Sequence, residues 1–288
     1  MTIADNLQSL IDAKADMKSA IESKGVEVTG GLSTYADAIR GIDGSNVNAL
    51  KVISGVSFAG SDIRDRHIIF DCKDVKSLNY MFSNTKFTTI ELINTDSVTS
   101  TCYMFTIGGV VSDVVEMPLF DTSNVTNMEY MFYSGSAKKI VPLYNTVNVK
   151  TMAHMFDDCH IKEIPQFDTR NVVNMIAAFA SSYIEKIPAL ECGNVEELSS
   201  VLANTRSLTD FGGFKNLGKK SSLYMTGFEF SGASALTYDS IINILEGLYD
   251  RHSDGYSTLT LKFHKNAISK LSDEDIMIAT SKGWIVSQ

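Results

Sequence analysis

Cysteine and histidine most readily ligate a soft metal, attack an electrophile or move a proton near neutral pH, and the chain has four cysteines and five histidines. Cys72, Cys102, Cys159 and Cys192 are separated by 30, 57 and 33 residues. No pair has the C-x-x-C spacing of zinc or dithiol sites. Cys72 and Cys192 fall at equivalent points of a repeat (below), five repeats apart. Parallel strands stack about 4.8 Å apart, so their sulfurs are expected roughly 25 Å apart, too far to bond. All four thiols read as small buried hydrophobes. His67, His154, His160, His252 and His264 show no helical metal-ligand spacing. Asp157-Asp158-Cys159-His160 gathers ligand types, but adjacent residues of a turn point apart. Asp121-Thr122 and Asp168-Thr169 read as loop and cap chemistry. Asp273, Glu274 and Asp275 follow Ser272 and suit a helix N-terminus. No phosphate-binding loop, dinucleotide fingerprint, nucleophile elbow or H-E-x-x-H occurs. The reading assigns no catalytic, cofactor-binding or metal residue, and expects no enzyme activity.

Composition narrows the remaining classes. The chain has 288 residues, 44% hydrophobic and 20% charged, with net charge −9. Broad nucleic-acid binding needs a basic face, which this charge disfavours. Docking on anionic lipid is disfavoured for the same reason. No apolar run approaches the roughly 18 residues of a membrane span. Met1-Thr2-Ile3-Ala4-Asp5-Asn6 has neither a basic start nor an apolar core, so no secretory signal is expected.

The elements that position these residues repeat. Met-Phe recurs at Met81-Phe82, Met104-Phe105, Met131-Phe132 and Met155-Phe156, then decays to Ala178-Phe179 and Val201-Leu202. The second positions lie 23, 27, 24, 23 and 23 residues apart. Seven residues before each stands a valine: Val75, Val98, Val125, Val149, Val172 and Val195. Four before stands Leu78, Thr101, Met128, Met152, Met175 or Leu198. Spacing i, i+3, i+6, i+7 predicts one face of a short helix. Asp74, Ser97, Asn124, Asn148, Asn171 and Asn194 precede the valines and read as its N-caps. An apolar cluster follows each predicted helix, and all four prolines share its register: Pro118, Pro142, Pro165 and Pro188. Proline cannot donate to a ladder, so this segment reads as a short strand with proline at its edge. One strand and one helix per 23–27 residues predicts an α/β leucine-rich-repeat-like solenoid of about six repeats. The methionine stripe reads as core between coils.

Phe120-Asp121-Thr122-Ser123-Asn124-Val125-Thr126-Asn127-Met128-Glu129-Tyr130-Met131-Phe132 closely resembles the repeat of BspA-like leucine-rich repeat proteins. Phe167 to Met175 is a second copy. The family includes bacterial surface proteins and phage virion proteins, so the resemblance implies a binding or display scaffold. Residues Leu7 to Lys18, Lys24-Gly25-Val26 and Tyr35-Ala36 are similar to an N-terminal segment of phage tail and tail-fibre-like proteins. That resemblance implies attachment to a virion, or oligomerisation.

Four regions result. Residues 1–44 read as a helical attachment or oligomerisation segment, 45–70 as a β-rich N-terminal cap, 71–216 as the repeats and 217–288 as a C-terminal α/β cap. In the cap, Thr237–Leu248 and the stretch after Ser272 read as helices, Ser257–Leu261 and the stretch at Trp284 as strands, and Trp284 as a core plug. Gly212-Gly213 reads as a turn insertion. No binding residue is assigned, although Lys139, Lys162, Glu163, Glu185 and Lys186 near Tyr144 and Phe167 form a mixed-charge aromatic face suited to glycan or protein contact. The expectation is a non-enzymatic phage tail component, assembled in the host cytoplasm and homo-oligomeric. Residues 1–44 would bind other virion proteins, and the solenoid would meet a host glycan or protein. A bacterial surface adhesin and a purely structural virion brick are the alternatives.

Overall fold

The chain winds into a β-solenoid of about eight turns with few helices. The computed structural model describes residues 50–51, 57–63, 67–87, 89–106, 117–135, 142–220 and 227–288. Leu50–Gln288 is one compact unit. The helical segment expected at 1–44 lies outside the described residues.

Successive coils pair in parallel. Strand β1 (Leu50–Lys51) pairs with β2 (His67–Asp71), and β2 with β3 (Thr89–Ile93), Phe70 opposite Leu92. Further on, β4 (Lys186–Ile187) pairs with β6 (Asp210–Phe211), and β5 (Leu190–Glu191) with β7 (Phe214–Lys215). A second line of single parallel bridges joins Ser77, Ser100, Asn127, Thr151, Asn174 and Glu197, one residue per coil.

No α-helix forms within 71–216 among the described residues, which overturns the strand-plus-helix repeat. The amides show why. In an α-helix every N–H bonds four residues back. Here the amides of Leu78, Tyr80, Phe82 and Asn84 donate to Ser100, Cys102, Met104 and Thr106 of the next coil. The alternate amides of Met81, Ser83 and Thr85 close four-residue turns onto the carbonyls of Leu78, Tyr80 and Phe82. The same alternation runs through the next coils, as at Thr101, Tyr103 and Phe105. Tyr80 and Asn84 have φ of 59° and 54°, the left-handed third residue of a type II turn, which no helix accommodates. Tandem turns place apolar residues at i, i+3, i+6 and i+7 as well as a helix does, so periodicity alone misled.

The expected N-caps have another role. The Nδ2 groups of Asn124, Asn148, Asn171 and Asn194 donate to the carbonyls of Asp96, Ser123, Val147 and Arg170 on the preceding coil, each at 2.7 Å. Buried threonines reach the other way. Thr95, Thr122, Thr146 and Thr169 donate to Asp121, Asn145, Asp168 and Glu191 on the next coil at 2.9–3.0 Å. Each coil is therefore pinned on both sides.

The apolar rows fill the interior. All six valines are at most 2% exposed, and the methionines of the repeat are buried with them. Phe82, Phe105, Phe132, Phe156 and Phe179 stack along the axis with centroids 5.3–5.8 Å apart. Burying one such ring contributes up to about 3 kcal/mol, and only stacked neighbours can supply the burial.

Pro188 lies in the gap between β4 and β5, outside the ladder. Gly212-Gly213 occupies the matching gap between β6 and β7, so it is an in-register corner rather than an insertion. A Cβ on Gly212 would lie 2.4 Å from the Ala189 amide nitrogen, and Gly213 has φ of 84°.

The C-terminal region adds the parallel sheet β8 (Gly227–Phe230), β9 (Leu259–Phe263) and β10 (Trp284–Ser287), in the order β10-β9-β8. Such flanking coils raise the expected six repeats to about eight turns. Helix α1 (Tyr238–Glu246) starts at a Thr237 cap, and a short α2 spans Lys265–Ile268. Helix α3 (Asp273–Thr280) opens with the Ser272–Asp275 capping box. Trp284 is a buried plug whose Nε1 donates to the Tyr249 carbonyl at 2.9 Å. Among the described residues, buried Arg251 has no carboxylate partner. Its guanidinium donates to the carbonyls of Ser257 and Gly218, which satisfy it without a second charge.

Candidate functional site

The thiols are all free, three of them buried and Cys102 half-buried. Burial pushes Cys72 and Cys159 up to about 12, and burial with the Glu129 charge pushes Cys102 up to about 11. Such groups are neutral and poor nucleophiles at pH 7. The Asp157–His160 cluster diverges. Asp157 meets His154 Nδ1 at 2.7 Å, Asp158 accepts from Ser134, Cys159 is buried and His160 stacks on Tyr183. Asp121 and Asp168 accept from backbone amides two residues on, while their threonines bond the next coil.

The mixed-charge aromatic face is not assembled as expected. Tyr144 and Phe167 are 2% and 3% exposed, and the Tyr144 hydroxyl donates to the Pro118 carbonyl. The charges pair with each other across coils: Lys162 with Glu185 at 2.6 Å, and Lys186 with Glu163 at 3.3 Å. These exposed pairs contribute at most about 1 kcal/mol each and leave no uncompensated charge for a ligand. Lys139 lies outside the described residues.

A different flank carries the aromatic surface. Tyr80, Tyr103, Tyr130 and His154 hold one register on four consecutive coils, each immediately before its Met-Phe. Their rings stack nearly parallel, with centroids 4.7, 4.3 and 4.4 Å apart. The left-handed φ of each residue (54–59°) turns its side chain out of the core. Parallel rings cover one another's faces, so solvent meets a row of ring edges. Tyr80 is 50% exposed, and the others are half-buried. Burial and its tyrosine neighbours raise the Tyr103 phenol, keeping it neutral. The Asp157 carboxylate fixes the His154 imidazole at the end of the row. Tyr133 extends the row sideways, edge-on to Tyr130 at 5.6 Å.

The register continues as Ala177 and Ser200, which have no rings. There the flank opens into a cleft of about 490 Å³ lined by Ser200, Asn204, Arg206, Glu229 and His264, among others. This volume lies within the roughly 300–1,000 Å³ of small-molecule sites.

The profile of the family described as "Mycoplasma protein of unknown function, DUF285" matches residues 51–161, 110–213 and 134–236. The chain belongs to this family. The matches overlap and together span most of the solenoid, including the whole DUF285 ring row and Ser200, Asn204 and Arg206. Family and solenoid together are those of a BspA-like repeat protein. No curated protein and no solved structure matches the chain.

Sequence reasoning overlooked the ring row of this DUF285 chain, although its signal was present. Tyr-Met-Phe, Tyr-Met-Phe, Tyr-Met-Phe and His-Met-Phe stand at the repeat's own register. The cleft had no such signal, because Arg206, Glu229 and His264 come from three separate coils.

Proposed function

We propose that this chain is a non-enzymatic, surface-displayed binding scaffold that meets an extended glycan through its aromatic flank. The ring row carries the reading. It offers the same edge at 4.3–4.7 Å intervals over four coils, a periodic surface for a periodic partner. Tyrosine and histidine combine apolar contact area with a polar tip at low side-chain entropy cost, the property that enriches tyrosine in binding surfaces. Contacts that are weak singly gain from repetition along the row and from copy number on a surface.

The test is binding of fluorescent full-length chain to a glycan array and to intact bacteria, against the Tyr103→Ala/Tyr130→Ala double variant. At least a tenfold loss of binding is expected, measured at a temperature where the variant, which loses three ring stacks, is still fully folded by its melting curve. Undiminished binding refutes the assignment of this flank.

A virion-borne scaffold is the second reading, favoured by the resemblance of residues 1–44 to tail-fibre-like segments. Immunogold electron microscopy of a producing culture separates the two. Label on bacterial envelopes with clean particles supports an adhesin, and label on phage particles supports the virion component. Residues 1–44 would then anchor it to tail proteins or assemble copies, and deleting them would leave a folded monomer in light scattering.

A further inference from the structure

We propose that the cleft at the C-terminal end of the aromatic flank binds a sugar carrying a carboxylate, as an acidic residue of a glycan does. This deepens the reading of the flank as a glycan-binding face and rests on it.

Three observations carry the inference. First, apart from Ala203 and Gly232, every residue lining the cleft bears a side-chain hydrogen-bonding group. Peptides and lipids bring apolar groups that such a lining cannot bury, whereas a polyhydroxylated ring needs donors and acceptors on most sides. Second, the cleft holds an uncommitted cation. The exposed Arg206 side chain makes no ion pair or hydrogen bond among the described residues, on a chain of net charge −9. A free guanidinium fork matches a carboxylate with two parallel hydrogen bonds. Third, the remaining groups are already oriented. The Asn266 amide donates to His264 Nδ1 at 3.1 Å, so the neutral ring carries its proton on Nε2, ready to donate. Ser231 Oγ donates to one Glu229 oxygen at 2.7 Å, which orients the carboxylate as an acceptor for ligand hydroxyls. That second charge also disfavours a dianion such as a phosphate monoester.

The cleft is held by close backbone approach. A Cβ on Gly232 would lie 2.0 Å from the Asn204 amide nitrogen, so only glycine lets the Ser231–Ser234 wall sit against the Ala203–Asn204 turn. Ser200 continues the ring register with a small side chain, leaving room for a ligand to pass from the row into the cleft.

The test is titration calorimetry of the full-length chain with methyl glucuronide and methyl glucoside, which differ only in the carboxylate. The glucuronide is expected to bind at least tenfold more tightly than the glucoside. Arg206→Gln should remove that advantage and leave the glucoside unchanged. Arg206→Lys, which keeps the charge without the fork, should retain part of it. Lys73→Gln, an equal charge change far along the chain, should retain all of it. Equal binding of the two sugars, full glucuronide affinity in Arg206→Gln, or no saturable binding of either overturns the proposal. The cell-binding assay separates this failure from that of the flank: a chain that attaches through its ring row yet ignores the glucuronide refutes the cleft alone.

Discussion

Replacing Asn171 by aspartate separates the two roles open to the residue before each repeat valine. At a helix N-cap, asparagine and aspartate are equivalent acceptors, and the exchange would be nearly neutral. In the solenoid, the Asn171 Nδ2 donates to the Val147 carbonyl at 2.7 Å from a part-buried position. Aspartate at pH 7 has no proton to give. The lost bond costs about 1 kcal/mol, and an unpartnered carbonyl facing a carboxylate adds about 1 kcal/mol more. The sum, about 2 kcal/mol, corresponds to a fall in melting temperature of ~4–8 °C for a unit of this size. Asn171→Ala loses the bond without the repulsion and should fall by about half as much. Acid provides a second check. A protonated carboxyl can donate to Val147, so the folded state raises the pKa of Asp at position 171. The variant's deficit is then absent below the unfolded value near 3.9 and develops as pH rises through the folded value. Urea melts at pH 7 and pH 3.5 measure both effects. An aspartate variant as stable as the parent at pH 7 refutes the inter-coil ladder and restores the cap.

Phe132 is fully buried between Phe105 and Phe156, so Phe132→Ala should cost about 3–5 kcal/mol in urea denaturation, with a smaller loss for leucine. At pH 8 the thiols should react slowly with a disulfide reagent in the folded chain, half-buried Cys102 first, and all four at once in urea. Their raised values predict stability that is complete below the unfolded thiol pKa of about 8.5 and falls as pH rises toward 11–12. Ser272→Ala should cost about 1 kcal/mol in the melting curve by removing the cap of the last helix. The Ser272 amide and the Tyr238 hydroxyl hold Asp275 below the usual carboxylate range. Its contribution should therefore be present above about pH 4 and lost as pH falls through the folded value, a dependence that Asp275→Asn should flatten.

The coil-to-coil register was legible because stacking imposes it. Each Val, Met and Phe row sits against its own copy, so one residue type recurs at one interval. The backbone path between rows was not legible. Met128, Met131 and Phe132 meet the core equally well from a helix or from tandem turns. What decides is where alternate amides go, and the next coil's carbonyls have no signature in a single repeat. The end of the chain was easier. Ser272, Asp275 and Trp284 act through local caps and bulk, which their own neighbours in sequence reveal. Tyr144 and Phe167 were misjudged as surface because proline was taken to mark an edge. Proline marks the corner of the coil, and the residue two positions later turns inward.

The left-handed positions bear on function. In five coils two described residues, four apart, adopt the same positive φ. The second row is filled by Asn84, Ser134, Asp158, Ser181 and Asn204, short polar residues, of which Asn and Asp tolerate that conformation best. The first row is filled by Tyr80, Tyr103, Tyr130 and His154 and runs on through Ala177 and Ser200; among its rings histidine suits the conformation, whereas each tyrosine costs about 1–2 kcal/mol. Three stacking contacts return about 0.5–1.5 kcal/mol each, about 3 kcal/mol at mid-range against about 4.5 kcal/mol for three strained tyrosines, so the stack adds no net stability. Backbone preference explains the second row and leaves the first to another use, which we take to be contact with a partner. Tyr130→Asn tests this. Asparagine suits the backbone, so the variant should melt within about 2 °C of the parent while losing most glycan-array signal. A large loss of stability would instead make the rings structural, and the case for this flank as the binding face would fall with it.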